Sequence, residues 1–226
     1  MIGQEIRDIL VKRGAFVLHH ANSVSTSHSQ LLLGGLASRH HVQQRRYPQT
    51  GQITDPTDQA LGIWDDIFLD TVDIHQRSSN RNKYGPVLFK FHVDLLLALP
   101  QEARVLITRS NPSKWATTMT DDERYFMDAT QLEAGLDVGR FDHMLVIRTP
   151  AGIIPFDRNF QAIILDEPRL ATGTGQEYNR AEQFLNNAAS QVNLALRVQR
   201  RMCLGCKCWA AYAENANRIP YFYSVP

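Results

Sequence analysis

The richest run of side chains able to do chemistry is Leu18-His19-His20-Ala21-Asn22-Ser23-Val24-Ser25-Thr26-Ser27. Two imidazoles followed by an amide and several hydroxyls offer hydrogen bonds to a ribose or an amide. A short helix after them would add backbone donors for a phosphate. A plainer reading also fits, in which the hydroxyls cap a helix and the histidines sit at the edge of a core. Downstream, Leu31-Leu32-Leu33-Gly34-Gly35-Leu36-Ala37-Ser38-Arg39 closes the segment and supplies a cation in Arg39.

A second group gathers Asp65, Asp66, Asp70, Asp73 and His75, with His40 and His41 upstream. On a strand, Asp73 and His75 would share one face, and such a pair could hold a metal that activates water for a hydrolase or nuclease. No H-E-x-x-H or comparable spacing accompanies them, and the acids could equally pair with Arg77 and Arg81. A third group is Cys203-Leu204-Gly205-Cys206-Lys207-Cys208. Its C-x-x-C pair could bind zinc or do redox chemistry. No second pair follows, and buried thiols beside a basic helix face of Arg197, Arg200, Arg201 and Lys207 account for the segment as well. No metal is assigned on these patterns.

The elements that must position these groups follow from apolar spacing. Ile6, Ile9 and Leu10 mark a helix over residues 5–13 that Gly14 stops, and Ala15-Phe16-Val17-Leu18 leads a strand that ends at His19 and His20. The hydroxyl-rich stretch then caps a short helix closed by Gly34-Gly35. Residues 40–61 are polar and aperiodic and read as a long loop. Residues 63–75 run apolar or alternate, residues 78–82 are turn-like, and Pro86 to Phe91 and Val105 to Ile107 read as strands. A weak helical pattern covers 121–136. Two late strands follow at His143 to Arg148 and Gln161 to Leu165, joined by a turn around Pro150-Ala151-Gly152. From Gln176 to Ala213, Ala181, Phe184, Leu185, Ala188, Val192 and Leu196 describe a helix or helix pair lying on the core.

The chain has 226 residues, 43% of them hydrophobic and 21% charged, enough for one sizeable core, so intrinsic disorder is excluded. With no internal repeat or linker, residues 1–226 read as one domain. Lys and Arg number 24 against 23 Asp and Glu, which gives no global attraction to a polyanion; nucleic-acid contact would rest on local clusters such as Arg45-Arg46 and 197–207. The N-terminus lacks a signal-peptide profile and no apolar run approaches the roughly 20 residues that cross a bilayer. Three cysteines fit a reducing compartment, so a cytoplasmic protein without membrane partners is expected.

An imidazole at the end of the first strand, a short helix, and then Gly34-x-Leu36 resembles the NAD-binding start of ADP-ribosyltransferases, in particular their DarT-like and poly(ADP-ribose)-polymerase-like branches. The likeness continues through Trp64-Asp65-Asp66-Ile67-Phe68-Leu69-Asp70 and Tyr84-Gly85-Pro86-Val87-Leu88-Phe89, and fades beyond. It implies an α+β fold with a split central β-sheet, flanking helices and a C-terminal helical segment. It also implies NAD as substrate. His20 would grip the nicotinamide ribose, and Asn22, Ser25, Thr26, Gly35 and Arg39 would help hold NAD. Asn22 stands where a small hydroxyl residue is usual, and Thr26 where an Asn is usual. Arg46, beside Arg45, would meet the NAD phosphates and counts with the catalytic groups.

These transferases usually carry a Glu at the start of a late strand, and here Asp142-His143 stands in that place. Asp142 or His143 would then accept the ribose hydroxyl hydrogen bond. Glu167 reads as a turn residue. The RNA 2′-phosphotransferase branch, which handles NAD with His and Arg and no Glu, is the neighbouring alternative. The DarT-like branch further implies a nucleic-acid acceptor, RNA or single-stranded DNA, a toxin or anti-phage role, and a neutralising antitoxin protein. A metal-dependent hydrolase and a non-catalytic binding module are the competing readings.

Overall fold

The computed structural model describes residues 2–77, 83–168, 175–202, 207–215 and 217–225. The chain begins α1 (Gly3–Lys12), β1 (Val17–Asn22), α2 (Val24–Leu33), β2 (Gly35–Ala37), α3 (Arg39–Gln44), α4 (Asp55–Ala60), β3 (Ile67–Leu69) and α5 (Ile74–Arg77). It continues β4 (Val87–His92), α6 (Leu95–Ala98), β5 (Arg104–Ile107), α7 (Asp121–Arg124), α8 (Ala129–Gly135), β6 (Leu145–Arg148) and β7 (Ile153–Pro155). It ends β8 (Phe160–Asp166), α9 (Gly175–Gln191), β9 (Val198–Arg201), α10 (Cys208–Glu214) and α11 (Arg218–Tyr223).

The α+β class with a divided central sheet is the architecture observed. One sheet has the order β1-β4-β8-β9 and a second the order β3-β6-β5, while β2 and β7 pair separately. All pairs are antiparallel except β8 with β9. The two larger sheets meet where His19 and Asp70 exchange both backbone hydrogen bonds, each 2.8 Å. That junction sets the end of β1 against β3, so the chain after His19 lies at the seam.

Local sequence explains the elements around the seam. The Ser23 hydroxyl accepts the Thr26 N–H at the start of α2, and Gly34, with φ +73°, closes it in the left-handed region where a side chain would be strained. Gly35 then enters β2 against β7, where an added Cβ would stand 2.5 Å from the Ile154 carbonyl oxygen. Tyr178, Ala181, Leu185 and Ala188 form the buried stripe of α9, at spacings of three and four that keep one face inward. His28 of α2 stacks on Phe184 of α9 with ring centroids 3.7 Å apart. Phe89, Phe91, Phe156 and Phe160 cluster within the main core.

Several expectations are corrected. Residues 40–61 are not one loop: the Ser38 hydroxyl caps α3 through the His41 N–H, and Pro56 opens α4. The run 63–75 contains only the short β3; Asp73 precedes α5, and its carboxylate accepts the His75 N–H. Asp73 and His75 therefore do not share a strand face. The 121–136 segment splits into α7 and α8 because Tyr125 bridges to Thr108. The turn at Gly152 leads first into β7, which pairs with β2, before β8. Within 176–213 a strand, β9, interrupts the helices and extends the main sheet beside β8. Residues 78–82, with Arg81, and Cys203 and Cys206 lie outside the described residues. Among the described residues, no helix is long and apolar enough to cross a membrane.

Candidate functional site

His20 is held from both ring nitrogens. Its Nδ1 lies 2.7 Å from the Phe68 carbonyl oxygen of β3, and its Nε2 lies 2.7 Å from Asn22 Nδ2. A carbonyl only accepts, so Nδ1 carries the proton and Nε2 presents its lone pair. Burial lowers the imidazole pKa to about 4, partly offset by the Phe68 carbonyl, so the ring is neutral at pH 7. Asn22 is itself buried, and its Nδ2 also donates to Gln30 Oε1 at 3.2 Å. His19, one residue earlier, is lowered to about 4 by burial and faces Asp73 and Lys90 instead. Neighbouring strand residues point to opposite faces, which is why the His20 side chain, and not that of His19, meets Phe68 and Asn22.

The hydroxyls of α2 tie this ring system to the next loop. Ser23 Oγ lies 3.1 Å from Thr26 Oγ1 and 2.6 Å from Thr50 Oγ1, and the Thr50 N–H donates to Thr26 Oγ1 at 2.9 Å. Arg39 then donates from Nη2 to the Thr50 carbonyl at 3.1 Å and to Asp55 Oδ2 at 2.7 Å. Its guanidinium lies 5.2 Å from the centre of the Trp64 ring. Ser25 is buried, and its carbonyl accepts the Ser29 hydroxyl.

Beyond Arg39 opens a cavity of about 530 Å³ lined by Arg39, Arg46, Gln49, Asp55, Gln59 and Trp64, among others. Arg39 Nε, Gln49 Oε1 and Asp55 Oδ1 are buried there without a hydrogen-bond partner among the described residues. A buried polar group without a partner costs roughly 1–3 kcal/mol, and these atoms lie beneath the cavity surface rather than on it. Arg46 is exposed on the same wall with φ +59°. The lining thus mixes two arginines, one of them paired with Asp55, with glutamine amides and the Trp64 ring.

The late-strand pair sits elsewhere on the second sheet. The Asp142 carboxylate accepts the Asn111 N–H at 3.0 Å and the Lys114 ammonium at 2.7 Å, with Arg140 at 3.4 Å. The bond from Lys114, then that from Asn111, holds its pKa below the usual carboxylate range. His143 is buried, with its Nδ1 accepting the Asp137 N–H at 3.0 Å, so its proton is on Nε2. Burial lowers its pKa. Phe68, whose carbonyl binds His20, pairs with Val146; three residues of extended chain, roughly 10 Å, separate that level from His143. At the other end of β6, Arg148 clasps the fully buried Asp66 carboxylate at 2.6 and 2.7 Å.

The second acidic group resolves into structural ion pairs. Arg201 binds both Asp73 and Asp166, and His75 Nε2 lies 2.6 Å from Asp166 Oδ2. Cys208 Sγ approaches His75 Nδ1 at 3.9 Å. Burial alone would lower the His75 pKa, but Asp166 and Cys208 outweigh it and raise the value to about 9. Asp65 pairs with His40 at 2.6 Å. Among the described residues no group of three or more His, Cys, Asp or Glu side chains is arranged to hold a metal.

Gln30, Thr50 and Gln49 escaped the sequence reading. Gln30 precedes three leucines and is polar at a buried helical position, the one signal that could have marked it. Thr50 and Gln49 sit in a segment whose contacts are set only by the folding of the loop onto α2.

Fold and site together define an α+β protein with a divided sheet, a neutral histidine at its seam and a polar cavity lined from α3, α4 and the loop between them. No protein-family model and no curated protein matches the chain. A solved structure of DarT from Thermus sp. 2.9 in complex with ADP-ribosylated single-stranded DNA is similar over 83% of this chain and 95% of that one, with 11% identity and a TM-score of 0.49.

Proposed function

We propose that this protein is an NAD-dependent ADP-ribosyltransferase that modifies a nucleic acid. The observation that carries the reading is that four residues which the resemblance to ADP-ribosyltransferases implies for NAD, His20, Asn22, Thr26 and Arg39, belong to two short hydrogen-bond chains at the seam and the cavity edge.

In this reading the Nε2 lone pair of His20 accepts a hydrogen bond from a nicotinamide-ribose hydroxyl. Arg39 and Arg46 bring positive charge to the pyrophosphate, and Trp64 offers a ring face. Asn22, Ser25, Thr26 and Gly35 shape the backbone and hydroxyl edge of the NAD site. Cleavage of the nicotinamide–ribose bond leaves positive charge on the ribose, which a preorganised polar group must stabilise. Asp142 and His143, expected at that centre, stand roughly 10 Å of extended chain from the level of Phe68 and His20 and are bonded to Lys114, Asn111 and Asp137, and are not placed at it. The acceptor would be RNA or single-stranded DNA, and a toxin or anti-phage role with a neutralising antitoxin protein in the cytoplasm belongs to the same proposal.

The test incubates the purified protein with NAD labelled in its adenylate moiety and with separate pools of RNA, single-stranded DNA and protein, beside His20→Ala. Label in one nucleic-acid pool, lost in the variant, supports the reading and names the acceptor. Label in protein alone overturns the acceptor class, and label in no pool with no nicotinamide release overturns the transferase.

A further inference from the structure

We infer that Gln30 is a positioning residue that, by orienting the Asn22 amide, keeps Nε2 of His20 bare for the substrate, while the Phe68 carbonyl holds the proton on Nδ1; this rests on the NAD reading above for its functional consequence, not for its structural part. The chain of bonds has acceptor-only carbonyls at both ends, which determines its polarity. Gln30 Nε2 donates to the Ala37 carbonyl of β2 at 3.3 Å. Its Oε1 must then be the atom turned to Asn22, and it accepts from Asn22 Nδ2 at 3.2 Å. That places the Asn22 amine, not its carbonyl, against His20 Nε2 at 2.7 Å. An amine only donates, so Nε2 must be bare, and the ring proton sits on Nδ1, where the Phe68 carbonyl takes it at 2.7 Å.

Every member between the two carbonyls lies at the seam of β1, α2, β2 and β3. Gln30 is 2% exposed and Asn22 4% exposed, so water does not compete freely for their bonds. Without Gln30, the Asn22 amide loses the partner that orients it and can turn its carbonyl to His20. The Phe68 and Asn22 carbonyls would then both face the ring, which would hold a proton on each nitrogen and offer a donor where the substrate requires an acceptor. The substrate group recognised at His20 is therefore a hydroxyl that donates, taking over from an N–H of Asn22 while that amide stays tethered to Gln30.

The experiment reads the tautomer directly, from long-range proton–nitrogen correlations of the His20 ring in the full-length 15N-labelled protein at pH 7 without NAD, with the His20 signals identified by their loss in His20→Ala. The wild-type ring is expected to be protonated on Nδ1 and bare on Nε2. In Gln30→Met a proton on Nε2 is expected to appear in addition to the one on Nδ1, with NAD affinity reduced tenfold or more. In Asn22→Asp, which presents only acceptors, His20 is expected to be protonated on both nitrogens. If Gln30→Met does not fold, Gln30→Asn, one methylene too short for the bond, gives the same readout. A wild-type ring protonated on Nε2, or an Nε2 that stays bare in a folded Gln30 variant, overturns the inference. An intact relay in a protein that binds no NAD sinks the transferase reading and leaves the relay standing.

Discussion

Asn22 and His20 sit two residues apart on β1 and yet touch, Nδ2 to Nε2 at 2.7 Å, because alternate strand residues share a face. The contact is braced from behind by Gly85, which has φ +140° and whose added Cβ would stand 2.3 Å from the Asn22 carbonyl carbon and oxygen. Gly85→Ala is therefore expected to push the peptide that joins Asn22 to Ser23. Left-handed strain and overpacking together give a loss of about 2–4 kcal/mol in urea unfolding. A loss below half a kcal/mol would show that the strand tolerates the methyl group and that the brace is not needed.

Stability should peak near pH 6.5. His19 and His20 are held near 4 by burial, so the unfolded chain binds more protons than the folded one between about 6.5 and 4. Their contribution is complete above 6.5 and falls as pH drops toward 4, by about 1.4 kcal/mol per pH unit for each ring. His75 runs the other way. Raised to about 9 by Asp166 and Cys208 against the opposing effect of burial, its contribution is complete below 6.5 and is lost as pH rises through 9. Urea midpoints measured from pH 4.5 to 9 check both arms, and a steady rise through pH 8.5 would contradict the His75 assignment.

Breaking the ion pair between β6 and Asp66 should be among the costliest single changes. Arg148→Met leaves the Asp66 carboxylate, whose side chain is 0% exposed, without its bidentate partner. A loss of about 3–5 kcal/mol is expected from such an uncompensated buried charge. The double variant with Asp66→Asn should recover part of it, and a single-variant cost below 1 kcal/mol would mean that the carboxylate is not confined as described.

Arg46 separates binding from folding. It is exposed, so Arg46→Ala should leave the unfolding free energy within about 0.5 kcal/mol of wild type. Loss of a charged hydrogen bond to a phosphate is worth about 1.5–3 kcal/mol, a weakening of NAD binding by roughly tenfold to more than a hundredfold. Unchanged NAD affinity in the folded variant would remove Arg46 from the site.

What the sequence made legible were the features whose cause is local. Gly34 closes α2 because the left-handed cap needs no distant partner, and Ser23 caps the same helix for the same reason. The apolar spacing of α9 was readable because a helix displays its buried face every three or four residues. Less local features were not. The pairing of β2 with β7 joins residues far apart in sequence, and β7 is three residues long. Asp73 and His75 looked like a shared strand face until the chain turned between them into α5. At the site, residue types marked His20, Asn22 and Arg39, but Gln30 and Thr50 matter through contacts that only tertiary folding brings about.

The most direct measurement of the central claim is calorimetric titration of NAD into the purified wild-type protein and into His20→Ala, with nicotinamide release followed in the same samples. The account expects the wild type to bind NAD and release nicotinamide, and expects both to be lost in a variant that still unfolds cooperatively. Absence of binding and release in the wild type, or equal binding and release in the variant, would contradict it.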